Sequence, residues 1–175
     1  MGKLHALQAV PALLEMLKDQ EESVRWAAAE ALGKLQALEA VLALLEMLKD
    51  QDWSVREAAV RALGKLQALE AVPALLEMLK DHERYVRWAA AEALGELQAL
   101  QAVPALLEML KGQKKGSVRL VVTEALGKLG GLDAVQPLLV AGDWRALKTL
   151  GERVLIRIYQ DGSWEPLPPI EPSSV

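Results

Sequence analysis

The chain has no cysteine, no phenylalanine and only two histidines among its 175 residues. Without cysteine it can form no disulfide framework, thiolate metal site or cysteine nucleophile. His5 and His82 lie far apart, and no His-x-x-x-His spacing exists, so no metal site and no cofactor are expected. No stretch reaches the roughly 18 uncharged apolar residues needed to span a bilayer, because Glu and Lys interrupt every candidate. The opening Met1-Gly2-Lys3-Leu4-His5 carries no apolar core of signal length, which leads to the expectation of a cytoplasmic protein without a membrane partner. A basic excess is also missing: the net charge of −4 argues against nucleic acid as a partner. No Ser-His-Asp order or isolated acid pair stands out. The basic turn Gly112-Gln113-Lys114-Lys115-Gly116-Ser117 lacks the preceding strand and the spacing of a phosphate-binding loop. No enzyme is expected.

What is present is repetition. Leu69 to Ala99 reads LEAVPALLEMLKDHERYVRWAAAEALGELQA, and Leu7 to Ala37 repeats it with changes only at Gln8, Gln20, Glu22, Ser23 and Lys34. Residues 38–68 form a further copy, and residues 100–131 another that is one residue longer in its turn. A period of 31 residues built from two helical patterns is the signature of a solenoid. In the first helix Val10, Leu13, Leu14 and Leu17 fall at i, i+3, i+4 and i+7, with Pro11 in the first turn, where its missing N–H costs little. The second helix carries Val24, Ala28, Ala31, Leu32 and Leu35, and its alanines permit close helix approach. Neither stripe can be buried alone, so the repeats must stack. The expected fold is an all-α right-handed α solenoid: four helix pairs at 7–37, 38–68, 69–99 and 100–131, a partial fifth at 132–160, and one domain over 1–160. The junction Gln36-Ala37-Leu38-Glu39 has neither a glycine stop nor a capping start signal.

The end of the chain departs from the period. From Trp144, the residues Leu147, Leu150, Val154, Leu155 and Ile158 suit a closing helix to about Tyr159. A rival reading makes Val154 to Tyr159 a strand that turns at Asp161-Gly162 into Ser163-Trp164-Glu165; the helix is preferred. The tail 161–175 is rich in proline and favours extended, polyproline-like backbone. Trp164, Leu167 and Ile170 are expected to fold back over the last repeat, with a proline-rich motif for another protein as the alternative.

The motif AVPALLEMLKD…VRWAAAEALGKL, in register from about Leu7 to Leu139, resembles the HEAT-like repeats of phycobiliprotein lyases and many bacterial proteins. Artificial helical repeat proteins built on that template are similar too. The chain departs from the family at the junction, where Gln36-Ala37 stands in place of the usual glycine and acidic residue. The resemblance implies an α solenoid that binds other proteins along its inner, second-helix surface, and it implies no chemistry.

The repeats differ where function would act. First helices are near copies, including Glu15, Glu46, Glu77 and Glu108. Differences gather in the turn and on one face of the second helix. Successive slots read Glu22, Trp53, Arg84; then Ser23, Ser54, Tyr85; then Trp26, Glu57, Trp88; then Glu30, Arg61, Glu92; then Lys34, Lys65, Glu96. A slot that accepts both Glu and Trp is not core, and exposed Trp, Tyr and Arg dominate protein interfaces. Trp26, Trp53, Glu57, Arg61, Arg84, Tyr85, Trp88 and Glu92 are therefore the expected partner-binding set. The opposing reading has the tryptophans covering alanine-rich surface between helices. Asp19, Asp50 and Asp81 precede the second helices, and Arg25, Arg56, Arg87 and Arg119 sit near their starts. Stacking would align them as a structural ladder, weakest where Gly112 removes the fourth acid.

These observations lead to a non-catalytic protein–protein interaction scaffold that uses the second-helix, concave face. The alternatives are an assisting subunit of a bilin lyase or chaperone for phycobiliproteins, and a self-assembling or designed repeat array. Another protein is the expected partner. A homodimer or end-to-end association through the N-terminal helix is expected as well, since Leu7, Ala12 and Met16 would face a preceding repeat.

Overall fold

The computed structural model describes residues 8–110, 117–129, 156–158 and 164–166. The helices come in pairs: α1 (Val10–Met16) with α2 (Glu22–Leu35), α3 (Val41–Met47) with α4 (Trp53–Lys65), α5 (Val72–Met78) with α6 (Arg84–Glu96), and α7 (Val103–Leu110) with α8 (Ser117–Leu129). First helices are short, seven residues in α1, α3 and α5, and each packs on its own partner. Second helices are 13 or 14 residues long and stack on one another, α2 on α4, α4 on α6 and α6 on α8.

The core runs unbroken along the stack. Leu32, Leu44, Leu63, Leu75, Leu94, Leu106 and Leu126 are fully buried, each contributing about 1.5–3 kcal/mol by removal from water. The stripe read from the sequence sits where its period places it: Val10 and Leu17 are buried, and Leu13 and Leu14 are partly so. Glycine sets the spacing of the second helices. A Cβ on Gly33 would stand 2.9 Å from Ala62 Cα, and one on Gly64 would stand 3.0 Å from Ala93 Cβ. The Ala-Leu-Gly triplets that end at Gly33, Gly64 and Gly95 thus mark the line along which backbones touch.

The junctions carry a device that the sequence reading missed. Gln36, Gln67 and Gln98 adopt left-handed backbone, with φ of 54°, 53° and 53°. Around Gln36 the N–H of Ala37 donates to Leu32 O (3.2 Å) and that of Gln36 to Gly33 O (3.3 Å), the paired bonds of a Schellman stop. The same long bond recurs from Ala68 to Leu63 and from Ala99 to Leu94. Glutamine occupies the position that glycine usually takes. A short 3₁₀ turn follows (Leu38–Ala40, Leu69–Ala71, Leu100–Ala102) and leads into the next first helix.

One element corrects the sequence reading. Within the span expected as a closing helix from Trp144 to Tyr159, Ile156–Ile158 is a strand, β1, paired antiparallel with β2 (Trp164–Pro166). The register joins Ile156 to Pro166, Arg157 to Glu165 and Ile158 to Trp164. β-Branched residues at Val154, Ile156 and Ile158 alternate along the chain, and Asp161-Gly162 carries turn chemistry; these local preferences outweighed the 3.6-residue pattern. Pro166 lies in β2, the end of a two-stranded sheet where a missing N–H is tolerated. The expected fold-back of Leu167 and Ile170, and the partial fifth repeat, lie outside the described residues. Among the described residues, no helix is long and apolar enough to cross a membrane, and no cluster of His, Asp and Glu could hold a metal ion.

Candidate protein-binding face

The turns before α4 and α6 are each built by an acid and by an arginine from the preceding helix pair. Asp19, Asp50 and Asp81 each accept the backbone N–H two residues on, from Glu21 (2.9 Å), Asp52 (2.9 Å) and Glu83 (2.8 Å). Those N–H groups belong to the residues just outside the helices, so the acids fold the turn rather than capping the helix proper. Arg25 reaches into the next pair with a two-pronged bond to Asp50 (Nε to Oδ2 2.8 Å, Nη2 to Oδ1 3.0 Å) and a further bond to Asp52 (2.9 Å). Its Nη1 donates back to the carbonyls of Asp19 and Gln20. Arg56 repeats this with Asp81 (2.8 and 2.9 Å) and the carbonyls of Asp50 and Gln51. Burial opposes the charge on Asp50 and Asp81, but the guanidinium and the turn N–H outweigh it and hold both carboxyls below their ordinary range. Arg87 bonds the carbonyls of Asp81 and His82, and among the described residues no carboxylate meets it. The side chain of Arg119 lies outside those described.

This frame fixes where α4 and α6 begin, and therefore where Trp53, Arg84 and Tyr85 emerge. The Trp53 and Tyr85 rings stack with centroids 5.3 Å apart and planes 29° apart. Trp88, one helical turn beyond Tyr85, meets it edge-on at 5.3 Å. The Arg84 guanidinium lies over both Tyr85 (4.7 Å) and Trp88 (5.5 Å) and donates to the Tyr85 hydroxyl oxygen at 2.6 Å. Trp53 and Tyr85 stay 43% and 39% exposed, a large apolar area held open to solvent. Trp88 is half-buried, and its enclosed indole N–H meets no hydrogen-bond partner among the described residues.

A second group is ionic. Arg61 donates to Glu57 (2.6 Å) on its own helix and to Glu92 (2.7 Å) on the next. Partial burial disfavours the Arg61 charge, but the two carboxylates prevail and raise its pKa. Trp26, 39% exposed, stands apart from the aromatic cluster and lines a groove of about 240 Å³ with Glu30, Glu57, Arg61 and Lys65. The equivalent groove two repeats on, about 120 Å³, is lined by Trp88, Glu92, Val121, Glu124 and Lys128. The expected set is thus divided into an aromatic cluster (Trp53, Arg84, Tyr85, Trp88), an ion network (Glu57, Arg61, Glu92) and the separate Trp26. Glu30 and Lys65 also line the first groove and were not in that set; their slots vary between repeats, which is the signal that could have found them.

Comparison with known proteins agrees with this architecture. The family model described as HEAT repeats matches residues 1–51, 41–127 and 83–155. No curated protein matches the chain. Among solved structures, the complex of CpcE and CpcF of phycocyanin lyase from Nostoc sp. is similar at 32% identity and a TM-score of 0.71, covering 82% of this chain and 63% of that one. YibA of Escherichia coli matches at 23% identity and a TM-score of 0.63 (81% and 55% covered), and an engineered protein at 22% and 0.56 (82% and 72% covered). The last two similarities concern the fold alone. The chain spans less than two thirds of the matched lyase chain. An all-α solenoid of stacked helix pairs, matched by the repeat model over most of its length, belongs to the HEAT-repeat family.

Proposed function

We propose that the protein is a non-catalytic scaffold that binds another protein on its second-helix face. The observation that carries this reading is the Trp53–Tyr85–Trp88–Arg84 cluster, two of whose rings are stacked yet still about two-fifths exposed on a rigid stack. Large, pre-ordered aromatic and arginine side chains form the energetic centres of interfaces, because little entropy is lost in fixing them. Trp53→Ala, Tyr85→Ala and Trp88→Ala should each weaken a partner by on the order of 1–3 kcal/mol, with helical circular dichroism preserved. Melting of the fold with unchanged affinity of the surviving protein would make these rings packing residues.

The similarity to a phycocyanin lyase complex favours a second reading, an assisting subunit that holds a phycobiliprotein or its chromophore. Adding a bilin to the purified chain separates the two: an absorbance shift supports the second reading, and an unchanged spectrum supports the first. Self-association through α1 has its own support, since Met16 is 39% exposed where its counterpart Met47 is 9%. Sedimentation at tens of micromolar should show a dimer or chain that Met16→Glu abolishes; a monomer in both would remove that reading.

A further inference from the structure

The arginine ladder runs one rung past its acids. Arg25, Arg56 and Arg87 stand 31 residues apart, each near the start of a second helix. In all three, Nη1 donates to the carbonyls six and five residues earlier: Asp19 and Gln20 (2.9 and 2.8 Å), Asp50 and Gln51 (2.8 and 3.0 Å), and Asp81 and His82 (2.6 and 2.8 Å). The stems are rooted at the same helix position and the guanidinium is planar, so these bonds also set where the other donors lie. In Arg25 and Arg56 the remaining edge, Nε and Nη2, closes on the carboxylates of Asp50 and Asp81 at 2.8 to 3.0 Å. In Arg87 the same edge donates to no described residue. The register gives the reason. The position 31 residues beyond Asp81 is Gly112, and from Met109 to Thr123 the sequence has Lys111, Lys114, Lys115 and Arg119 but no acid. Arg87 is half-buried, so leaving two of its charged N–H groups unmatched is costly.

We propose that the Nε–Nη2 edge of Arg87 is a carboxylate-binding site, completed from outside the chain by a free carboxylate or by an Asp or Glu side chain of a partner. The pair formed there is the two-pronged, charge-assisted one that Arg25 and Arg56 make internally. Its fork is held beforehand by two backbone carbonyls, so binding costs little further side-chain freedom. The site does not depend on the aromatic cluster and stands or falls without it.

The test titrates the full-length wild-type chain with sodium acetate, replacing sodium chloride at constant ionic strength, and follows the arginine Nε–H signals in ¹⁵N spectra. The Arg87 signal should shift saturably, with a midpoint on the order of tens of millimolar. Those of Arg25 and Arg56 should stay in place, because their own acids hold them. The exposed Arg84 reports an unshaped guanidinium and should respond about fivefold more weakly or less. A blocked Gly-Glu-Gly peptide in place of acetate separates the sources: tighter binding than acetate assigns the site to a partner's acidic side chain, and equal or weaker binding assigns it to a free carboxylate. An Arg87 signal that does not move, or that moves no more readily than that of Arg84, would overturn the proposal. So would one that matches Arg25 and Arg56 before acetate is added, because an acid of this chain would then already hold the fork.

Discussion

The two layers of the stack are made from the same repeat and behave differently. First helices are seven or eight residues long with nearly one sequence, and the solvent side of α1, α3 and α5 shows the same pair each time: Lys18–Glu15, Lys49–Glu46 and Lys80–Glu77 at 3.0, 3.1 and 3.2 Å, all well exposed. Second helices are nearly twice as long, pack backbone to backbone through Gly33 and Gly64, and still vary from repeat to repeat on their open face. A layer held by glycine and alanine on its contact lines leaves its remaining positions free of packing duty. Variation collects there because it costs the fold little, and ordered aromatics there can be used for recognition.

The sharpest test of this division is within one first helix. Leu75 is fully buried, so Leu75→Ala should cost about 2–5 kcal/mol. Glu77, two residues along the same helix and paired with the exposed Lys80, should change stability by less than about 0.5 kcal/mol on Glu77→Ala. Equal losses in a urea titration would show that the stripe is misassigned.

Next in size is the ladder. Asp50→Ala leaves the Arg25 side chain, only 9% exposed, without its two-pronged partner and should cost about 2–3 kcal/mol. Because Asp50 and Asp81 titrate below their ordinary values when folded, the stability they contribute is fully present above about pH 4 and is lost as pH falls through the lower folded values. Thermal melts between neutral and strongly acid pH should therefore show a shallower acid limb for Asp50→Ala than for wild type. Parallel limbs would mean that the rung contributes nothing.

The smallest effect has the opposite sign. Gln98 holds φ of 53°, a region that costs a side chain roughly 1 kcal/mol, so Gln98→Gly should stabilise by up to about that amount. A loss of stability on chemical denaturation would show that the glutamine side chain repays its strained backbone.

Much of the scaffold was legible because it is periodic. The spacing of Val10, Leu13, Leu14 and Leu17 determines a face, and four copies of that face allow only a stack. The aspartates and arginines were legible as neighbours for the same reason, although not that Arg25 crosses to the next pair while bonding carbonyls in its own turn. Three features escaped. The helix stop at Gln36 was hidden because glutamine has no marked left-handed preference; only the recurrent Gly33 three residues earlier hinted at a feature there. The strand at Ile156–Ile158 was hidden because the short run from Val154 to Tyr159, apolar but for Arg157, satisfies both periods, and its partner beyond Asp161-Gly162 decides. The grouping of the candidate face was hidden because stacking of Trp53 on Tyr85 depends on the rise between repeats, which no one-dimensional pattern contains.

The central claim is that recognition belongs to the second-helix face and not to the first-helix surface. Two full-length variants test it directly in affinity capture from the source cell: one with Trp53→Ala, Arg84→Ala and Tyr85→Ala, the other with Glu15→Lys, Glu46→Lys and Glu77→Lys. Both should keep the wild-type helical spectrum. The account predicts that a partner captured by wild type disappears from the first variant, by about tenfold or more, and persists with the second. A partner retained by the aromatic variant and lost by the first-helix variant would contradict it.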